Sequence, residues 1–366
     1  MNNPYKLEYQ SLAKLIKKRF DLVFASGVYI LGENVSKFET EFAQYIGTKK
    51  IVGLANGLDA IQVALMTLGV GKGDEVITTS LSAVATTLAI TRTGAKPIFV
   101  DIDEYFHLDA QLLEQAITPK TKAIVPVHLY GQSVAIAKIK QICKAHNLYL
   151  IEDVAQAHGA TYRGQMLGSF GDAGAFSFYP TKNLGGYGDG GALSTANLEL
   201  AATASMIRNY GQRTRYVHEF AGINSRLDEL QAAVLSVKLP YLNEWNKRRR
   251  LLADRYNQEL ATIKGLQVPM IRKDADHVFH QYVVRTNKRD ALLAFLQGEE
   301  IPALVHYPIP IHKQPCFKQF HSITLPNTEK ACQQILSLPI HPFMEDAEQE
   351  FILAKITEFF QAHSSE

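Results

Sequence analysis

The sequence predicts an α/β protein with a mostly parallel central sheet flanked by helices, and a smaller C-terminal α+β domain. Three observations carry this. Short apolar runs alternate with helix-length patterns through the first two-thirds of the chain. Those runs are apolar almost throughout, as in strands buried on both faces. After Asn224 the texture changes to longer helical stretches with fewer strands. The expected division is a large α/β domain over 1–245, with an N-terminal arm over 1–30, and the small domain over 246–366.

In chain order, Ser36-x-x-Glu39 has the form of a capping box, opening a helix that stops near Gly47. The apolar run 51–55 leads into Asn56-Gly57 and a helical pattern of Ile61, Ala64, Leu65 and Leu68, closed by Gly69. Buried strands are expected at 76–79, 96–103, 122–131 and 147–154, with helices over 109–117 and 134–146 between them. ALST after Gly191 reads as a further strand. SRLDELQAAVLSVKL is an amphipathic helix that Pro240 bends or restarts. Beyond Trp245, a core or interface residue by its type, a strand is expected at 277–285 and helices near 289–297, 328–337 and 346–361.

Composition removes several function classes. With 46% hydrophobic residues and 20% charged, the chain can bury a large core. The net charge is +2, and the short basic run 247–250 reads as a solvated helix face, so nucleic acid is not an expected partner. The three cysteines have no metal-ligand spacing; no metal site is expected and a reducing compartment fits. The N-terminus lacks an apolar signal core, and no stretch approaches the roughly 18 apolar residues of a membrane span. A cytoplasmic protein without membrane contact is expected.

The chemistry gathers in FSFYPTKNLGGYGDGG, residues 176–191. Gly186-x-Gly188-x-x-Gly191 has the spacing of a dinucleotide fingerprint, but it neither follows a strand nor opens a helix. No P-loop occurs. Glycines permit positive φ and close backbone approach, so the loop can pass beside a bulky group held on Lys182. The aromatic approach Phe176 to Pro180 desolvates that lysine and favours the neutral, nucleophilic amine. Such a lysine suits Schiff-base chemistry with pyridoxal 5'-phosphate (PLP). That cofactor needs an acid facing its ring nitrogen, for which Asp153 and Glu152 compete at the end of LYLIED. It also needs a helix N-terminus for its phosphate, which Asn56-Gly57-Leu58 offers.

The chain resembles the DegT/DnrJ/EryC1/StrS family of sugar-nucleotide aminotransferases, fold type I among PLP enzymes. The resemblance runs from about Leu31 to His312 through ANGLDAIQVAL, GDEVITT, AKPIFVDID, PVHLYGQ, IEDVAQAHGA, the Lys182 run, INSRLDELQAA and HYPIPIHKQPCF. It implies that Lys182 carries the cofactor and that Asp153, rather than Glu152, is the ring-nitrogen partner. It implies Gln156 beside the ring, and Gly57, Leu58 and Ser177 at the phosphate, with Asn224 reaching that phosphate from a second subunit. Tyr179, Tyr187, Arg226, His306 and Tyr307 fall at sugar-nucleotide positions. A homodimer with shared active sites follows from the same resemblance.

Two positions depart from the family pattern. Leu58 stands where threonine or serine is common, and Ala83 where an aromatic residue usually stacks on the ring. The implied reaction transfers an amino group from glutamate to a keto nucleotide sugar in two half-reactions. Such enzymes serve deoxysugar, lipopolysaccharide or glycan biosynthesis. The Lys182 run is most like members that aminate C3 of a dTDP-3-keto-6-deoxyhexose. A UDP-3-keto sugar and a 4-keto nucleotide sugar are the alternatives, and a non-catalytic PLP-binding regulator is a third reading. His128, His158 and His312 read as hydrogen-bonded structural histidines, with His158 near enough in sequence to orient Asp153.

Overall fold

The computed structural model describes residues 3–363. Seven strands form the central sheet: β1 (Lys50–Leu54), β2 (Glu75–Thr79), β3 (Lys96–Val100), β4 (Thr121–Ile124), β5 (Tyr149–Asp153), β6 (Ala173–Ser177) and β7 (Gly191–Thr195). Their spatial order is β1-β7-β6-β5-β4-β2-β3. Pairings from β3 across to β6 are parallel, and β7 runs antiparallel to both of its neighbours. The sheet is thus mostly parallel, as the alternating pattern predicts.

Successive strand residues point to opposite faces, and each face has its own core. Ile51, Ile77, Ile124, Leu150 and Phe176 join one cluster with Phe38 and Phe42. Val52, Val76, Ala123, Ile151 and Ala175 join another with Ile61 and Leu65. Phe42 meets Phe176 and Phe178 edge-to-face at 5.0 and 5.5 Å. Truncating any of these fully buried rings would cost about 3–5 kcal/mol. This aromatic floor fixes the backbone that leads to Lys182.

Helix Gly57–Thr67 opens where expected: the Asn56 side chain caps it by accepting the Asp59 N–H at 2.8 Å. The helix expected at Ser36 instead begins at Glu33 with Gly32 as N-cap. Its free N–H groups are received by a distant carboxylate: Glu229 accepts from Gly32, Asn34 and Val35 at 2.8, 2.9 and 3.0 Å. The stretch 109–117 holds only the short helix Leu113–Ala116.

The N-terminal arm is a helix, Pro4–Ser26, packed on helix Glu229–Lys238. A short 3-10 turn, Leu239–Tyr241, restarts the chain as helix Leu242–Leu260, as Pro240 suggests. The expected division at 245/246 falls inside this unbroken helix. Its Trp245 packs with Leu12 and Ile16, while Leu252 and Tyr256 belong to a separate C-terminal core. That core covers a two-stranded antiparallel sheet of β8 (Tyr282–Arg285) and β9 (Ile335–Leu338). The strand expected over 277–285 is therefore shorter. The helix expected over 328–337 is Pro326–Gln334, and its last residues become β9 because they pair with β8.

Candidate active site

Lys182 lies in the loop between β6 and β7, where its N–H closes a turn onto the Tyr179 carbonyl at 2.9 Å. Beside it, β5 and β6 end in parallel, delivering Asp153 and Ser177 to the carboxyl edge of the sheet. A cavity of about 440 Å³, its open mouth included, is lined there by Gly57, Leu58, Asp153, Gln156, Ser177 and Lys182. Ala83 also lines it and contributes no aromatic ring.

The glycines act by close approach. A Cβ on Gly57 would stand 2.8 Å from the Ser177 Cβ. One on Gly191 would stand 2.3 Å from the Asn56 carbonyl, and one on Gly185 would stand 2.5 Å from the Pro180 oxygen. Within 185–191, Gly185 and Gly191 thus lie against backbone while Gly186 and Gly188 lie against the Gln231 side chain, and no glycine in the segment has positive φ. Gly191 lets β7 press against the start of helix Gly57–Thr67, so the helix N-terminus and Ser177 face one space.

Asp153 is 5% exposed. Its Oδ2 accepts from Thr86 Oγ1 at 2.7 Å and its Oδ1 from the Ala155 N–H at 3.1 Å. Burial still pushes its pKa up, against those bonds and the Lys182 charge. Burial likewise pulls Lys182 down to about 8, against the pull of Asp153. Glu152 faces the other way and is fully consumed. It accepts from the Gly168, Phe170 and Gly171 N–H groups and from His128 Nε2. His128 Nδ1 accepts from the Val134 N–H, so its proton sits on Nε2 toward Glu152.

His158 does not orient Asp153; Thr86 does. The His158 ring lies 5.6 and 5.8 Å from those of Phe176 and Phe178, and burial drives its pKa down to about 3. His312 is structural, bonded to Ser80 Oγ at 2.7 Å and to Glu329 at 3.0 Å.

Gln156 joins the cavity to the C-terminal part of the chain. Its Oε1 accepts from the Tyr130 N–H at 2.7 Å, and its Nε2 donates to the Tyr307 hydroxyl at 3.1 Å. Tyr130 donates to the His306 carbonyl, and His306 Nδ1 meets Ser337 Oγ at 2.9 Å. Burial raises the Tyr307 hydroxyl to about 12, so it stays protonated. Lys182 also lines a second, larger cavity of about 1100 Å³, open mouth included, with Tyr5, Glu8, Arg249, His280 and His306.

The remaining sequence candidates stand apart. Tyr179 is exposed. Tyr187 lines neither cavity; its ring carries Lys238 Nζ at 4.1 Å and meets Tyr9 edge-on, and its buried hydroxyl has no partner among the described residues. Asn224 is exposed, and Arg226 bonds Asn209 at 2.9 Å; neither lines either cavity. Sequence reasoning missed Thr86, Tyr130 and Arg249. For Arg249 a signal existed: Leu242, Trp245, Asn246, Arg249, Leu252 and Tyr256 recur at helical spacing and are all buried. The run 247–250 is therefore not wholly a solvated face.

The sequence pattern of the DegT/DnrJ/EryC1/StrS aminotransferase family matches residues 10–357. The chain belongs to this family. It is 46% identical over 360 residues to a pleiotropic regulatory protein of Geobacillus stearothermophilus, covering 97% of this chain and 96% of that one. It is 44% identical over 343 residues to dTDP-3-amino-3,4,6-trideoxy-alpha-D-glucose transaminase of Streptomyces venezuelae, covering 93% and 90%. Among solved structures, S. venezuelae DesV in complex with a ketimine intermediate aligns with a TM-score of 0.95 at 43% identity, covering 97% of each chain. NtdA of Bacillus subtilis with bound cofactor PMP aligns at 0.91 and 32% identity, covering 96% of this chain and 82% of NtdA. Among the described residues no helix is long and apolar enough to cross a membrane, and no cluster of acidic, histidine or cysteine side chains could hold a metal ion.

Proposed function

We propose that this protein is a PLP-dependent transaminase that moves an amino group from L-glutamate to C3 of a dTDP-3-keto-6-deoxyhexose. The observation that carries the reading is the convergence of Lys182, Asp153, Ser177 and the Gly57–Leu58 helix start on one cavity. Its support from relatives is the dTDP-3-amino sugar transaminase of S. venezuelae.

The cavity suits the cofactor. A buried carboxylate with a raised pKa is stabilised by a cation, and a protonated ring nitrogen supplies one. Gly57 and Leu58 N–H groups, with the Ser177 hydroxyl, suit a phosphate at a helix N-terminus. Leu58 offers no side-chain donor, so Ser177 and backbone bear that contact. When bound, PLP supplies an aldehyde for covalent attachment and a ring that takes up the electron pair released at the substrate carbon.

The chain's own residues do the rest. At a pKa of about 8, roughly a tenth of Lys182 is neutral at pH 7, against about 0.03% for a lysine at 10.5. Lys182 thus attaches as a nucleophile and, once released, moves a proton from the donor Cα and later to the sugar C3. Asp153, held by Thr86, keeps the ring nitrogen protonated. Gln156 and Tyr307 close the side toward the C-terminal part of the chain.

We further propose a homodimer with shared sites. Phe24, Val28, Tyr29, Ile30, Tyr216, Val217 and Phe220 are all exposed, and a second copy would cover them. In that assembly Asn224 and Arg226 serve the neighbour's phosphate and sugar nucleotide. A non-catalytic regulator would bind PLP without needing a proton-moving lysine. The wild type's absorbance response to glutamate separates the readings, and Lys182→Ala tests the lysine: turnover and covalent cofactor attachment are both expected to vanish, and full turnover in that variant would sink the proposal.

A further inference from the structure

Arg249 lines the larger cavity that Lys182 shares, yet it is only 7% exposed. Its Nη1 donates to the carbonyls of Phe279 at 3.1 Å and Ile340 at 3.0 Å. Its Nε is buried with no hydrogen-bond partner among the described residues. A buried guanidinium with no carboxylate hydrogen-bonded to it is costly, and only the charges of Tyr5 and Glu8 offset its burial. The acid in this cavity, Glu8, is committed elsewhere: it pairs with buried Lys238, which also donates to the Gly185 carbonyl at 2.7 Å. Burial accordingly pulls Arg249 down to about 10, leaving it charged at neutral pH. His280, His306 and His341 line the same cavity, and burial holds all three toward the neutral form.

We infer that Arg249 receives a carboxylate of the amino donor, in a subsite that opens directly onto Lys182. The inference rests on the aminotransferase reading above and names the residue that selects its donor. With Nη1 occupied by carbonyls, the Nε side of the fork is left for a carboxylate oxygen. A single guanidinium matches a single negative charge. A nucleotide diphosphate carries more charge, and here, besides Lys182 itself, it would meet a single cation, Arg249, with three neutral histidines and the Glu8 carboxylate. Lys182 and Arg249 line one cavity, and they match the two groups a donor must present, amine and carboxylate.

The test uses the cofactor-loaded enzyme, calorimetric titration with glutarate and separately with dTDP, and the absorbance change on adding glutamate. Arg249→Gln keeps a donor for the carbonyls and removes the charge. A charge-assisted bond of this kind predicts glutarate binding weakened about 10- to 100-fold, with dTDP affinity unchanged. Arg249→Lys keeps the charge but loses the fork, and is expected to fall between wild type and Arg249→Gln. If Arg249→Gln fails to fold, weakened glutarate and unchanged dTDP binding in Arg249→Lys carries the test alone. Unchanged glutarate binding overturns the subsite, and so does an equal loss of dTDP affinity, which marks a diphosphate site or a structural role. A wild-type enzyme whose absorbance does not respond to glutamate refutes the aminotransferase reading itself. A wild type that responds, with a variant that binds glutarate normally, refutes only the role of Arg249.

Discussion

Thr86→Val tests how Asp153 is tuned. The substitution is close to isosteric and removes one bond, the 2.7 Å contact from Thr86 Oγ1 to Asp153 Oδ2. Both residues are almost fully buried, at 1% and 5% exposure, so water cannot replace the donor. A hydrogen bond to a charged group is worth about 1.5–3 kcal/mol. At 1.36 kcal/mol per pKa unit, the Asp153 pKa rises by roughly one to two units. It rises from a value that burial has already lifted above the ordinary 3.8. Ionised Asp153 is then lost at higher pH, and the acid limb of the kcat/KM profile moves up by about one to two pH units. Stability moves with it. A carboxyl whose folded pKa is raised adds stability below its unfolded pKa and loses it as pH rises through the folded value. The variant is therefore expected to lose more stability than wild type as pH increases above about 4. The assay is a pH–rate profile of both proteins, with Thr86→Ser as the control that keeps the donor. An acid limb that does not move in Thr86→Val would refute the reasoning.

Three further substitutions separate structural from chemical roles. Gly57→Ala places a Cβ 2.8 Å from the Ser177 Cβ and should cost about 1–3 kcal/mol and weaken the cofactor at least about tenfold, read by absorbance titration; undiminished affinity would remove the phosphate assignment. Glu152→Gln disturbs a carboxylate that serves four donors and should lose about 3–5 kcal/mol in urea unfolding, whereas normal stability with lost turnover would make Glu152 chemical. Tyr187→Phe deletes a hydroxyl that has no partner among the described residues, so stability should change by less than about 1 kcal/mol and the sugar KM should hold; a tenfold rise in KM would return Tyr187 to the substrate site.

The fold class was legible because strand and helix periods differ, and each run in 51–55, 76–79 and 149–153 carried one unmixed signal. The burial of Lys182 at the cavity was signalled by its aromatic approach, which is contiguous in sequence. Other features depend on partners far along the chain. Glu229 caps a helix almost two hundred residues away, so Ser36 looked like the local cap when it was not. Residues 335–338 form a strand only because β8 lies beside them. The residues alone could not separate Glu152 from Asp153 on a strand buried on both faces; the loop 168–171 closing over Glu152 does so in space. The glycines of 185–191 signalled close approach, but their neighbours, the Pro180 and Asn56 backbones at Gly185 and Gly191 and the Gln231 side chain at Gly186 and Gly188, are revealed by no spacing rule.

The central claim is transfer of nitrogen from glutamate to C3 of a nucleotide-linked keto sugar through Lys182. The most direct measurement adds L-glutamate to the PLP-loaded protein, follows the absorbance, then adds dTDP-3-keto-6-deoxyhexose and identifies the product by NMR. The account predicts conversion of the cofactor to its pyridoxamine form by glutamate, its recovery on adding the sugar, and a new amine on C3. No response to glutamate, or an amine found only on C4, would contradict it.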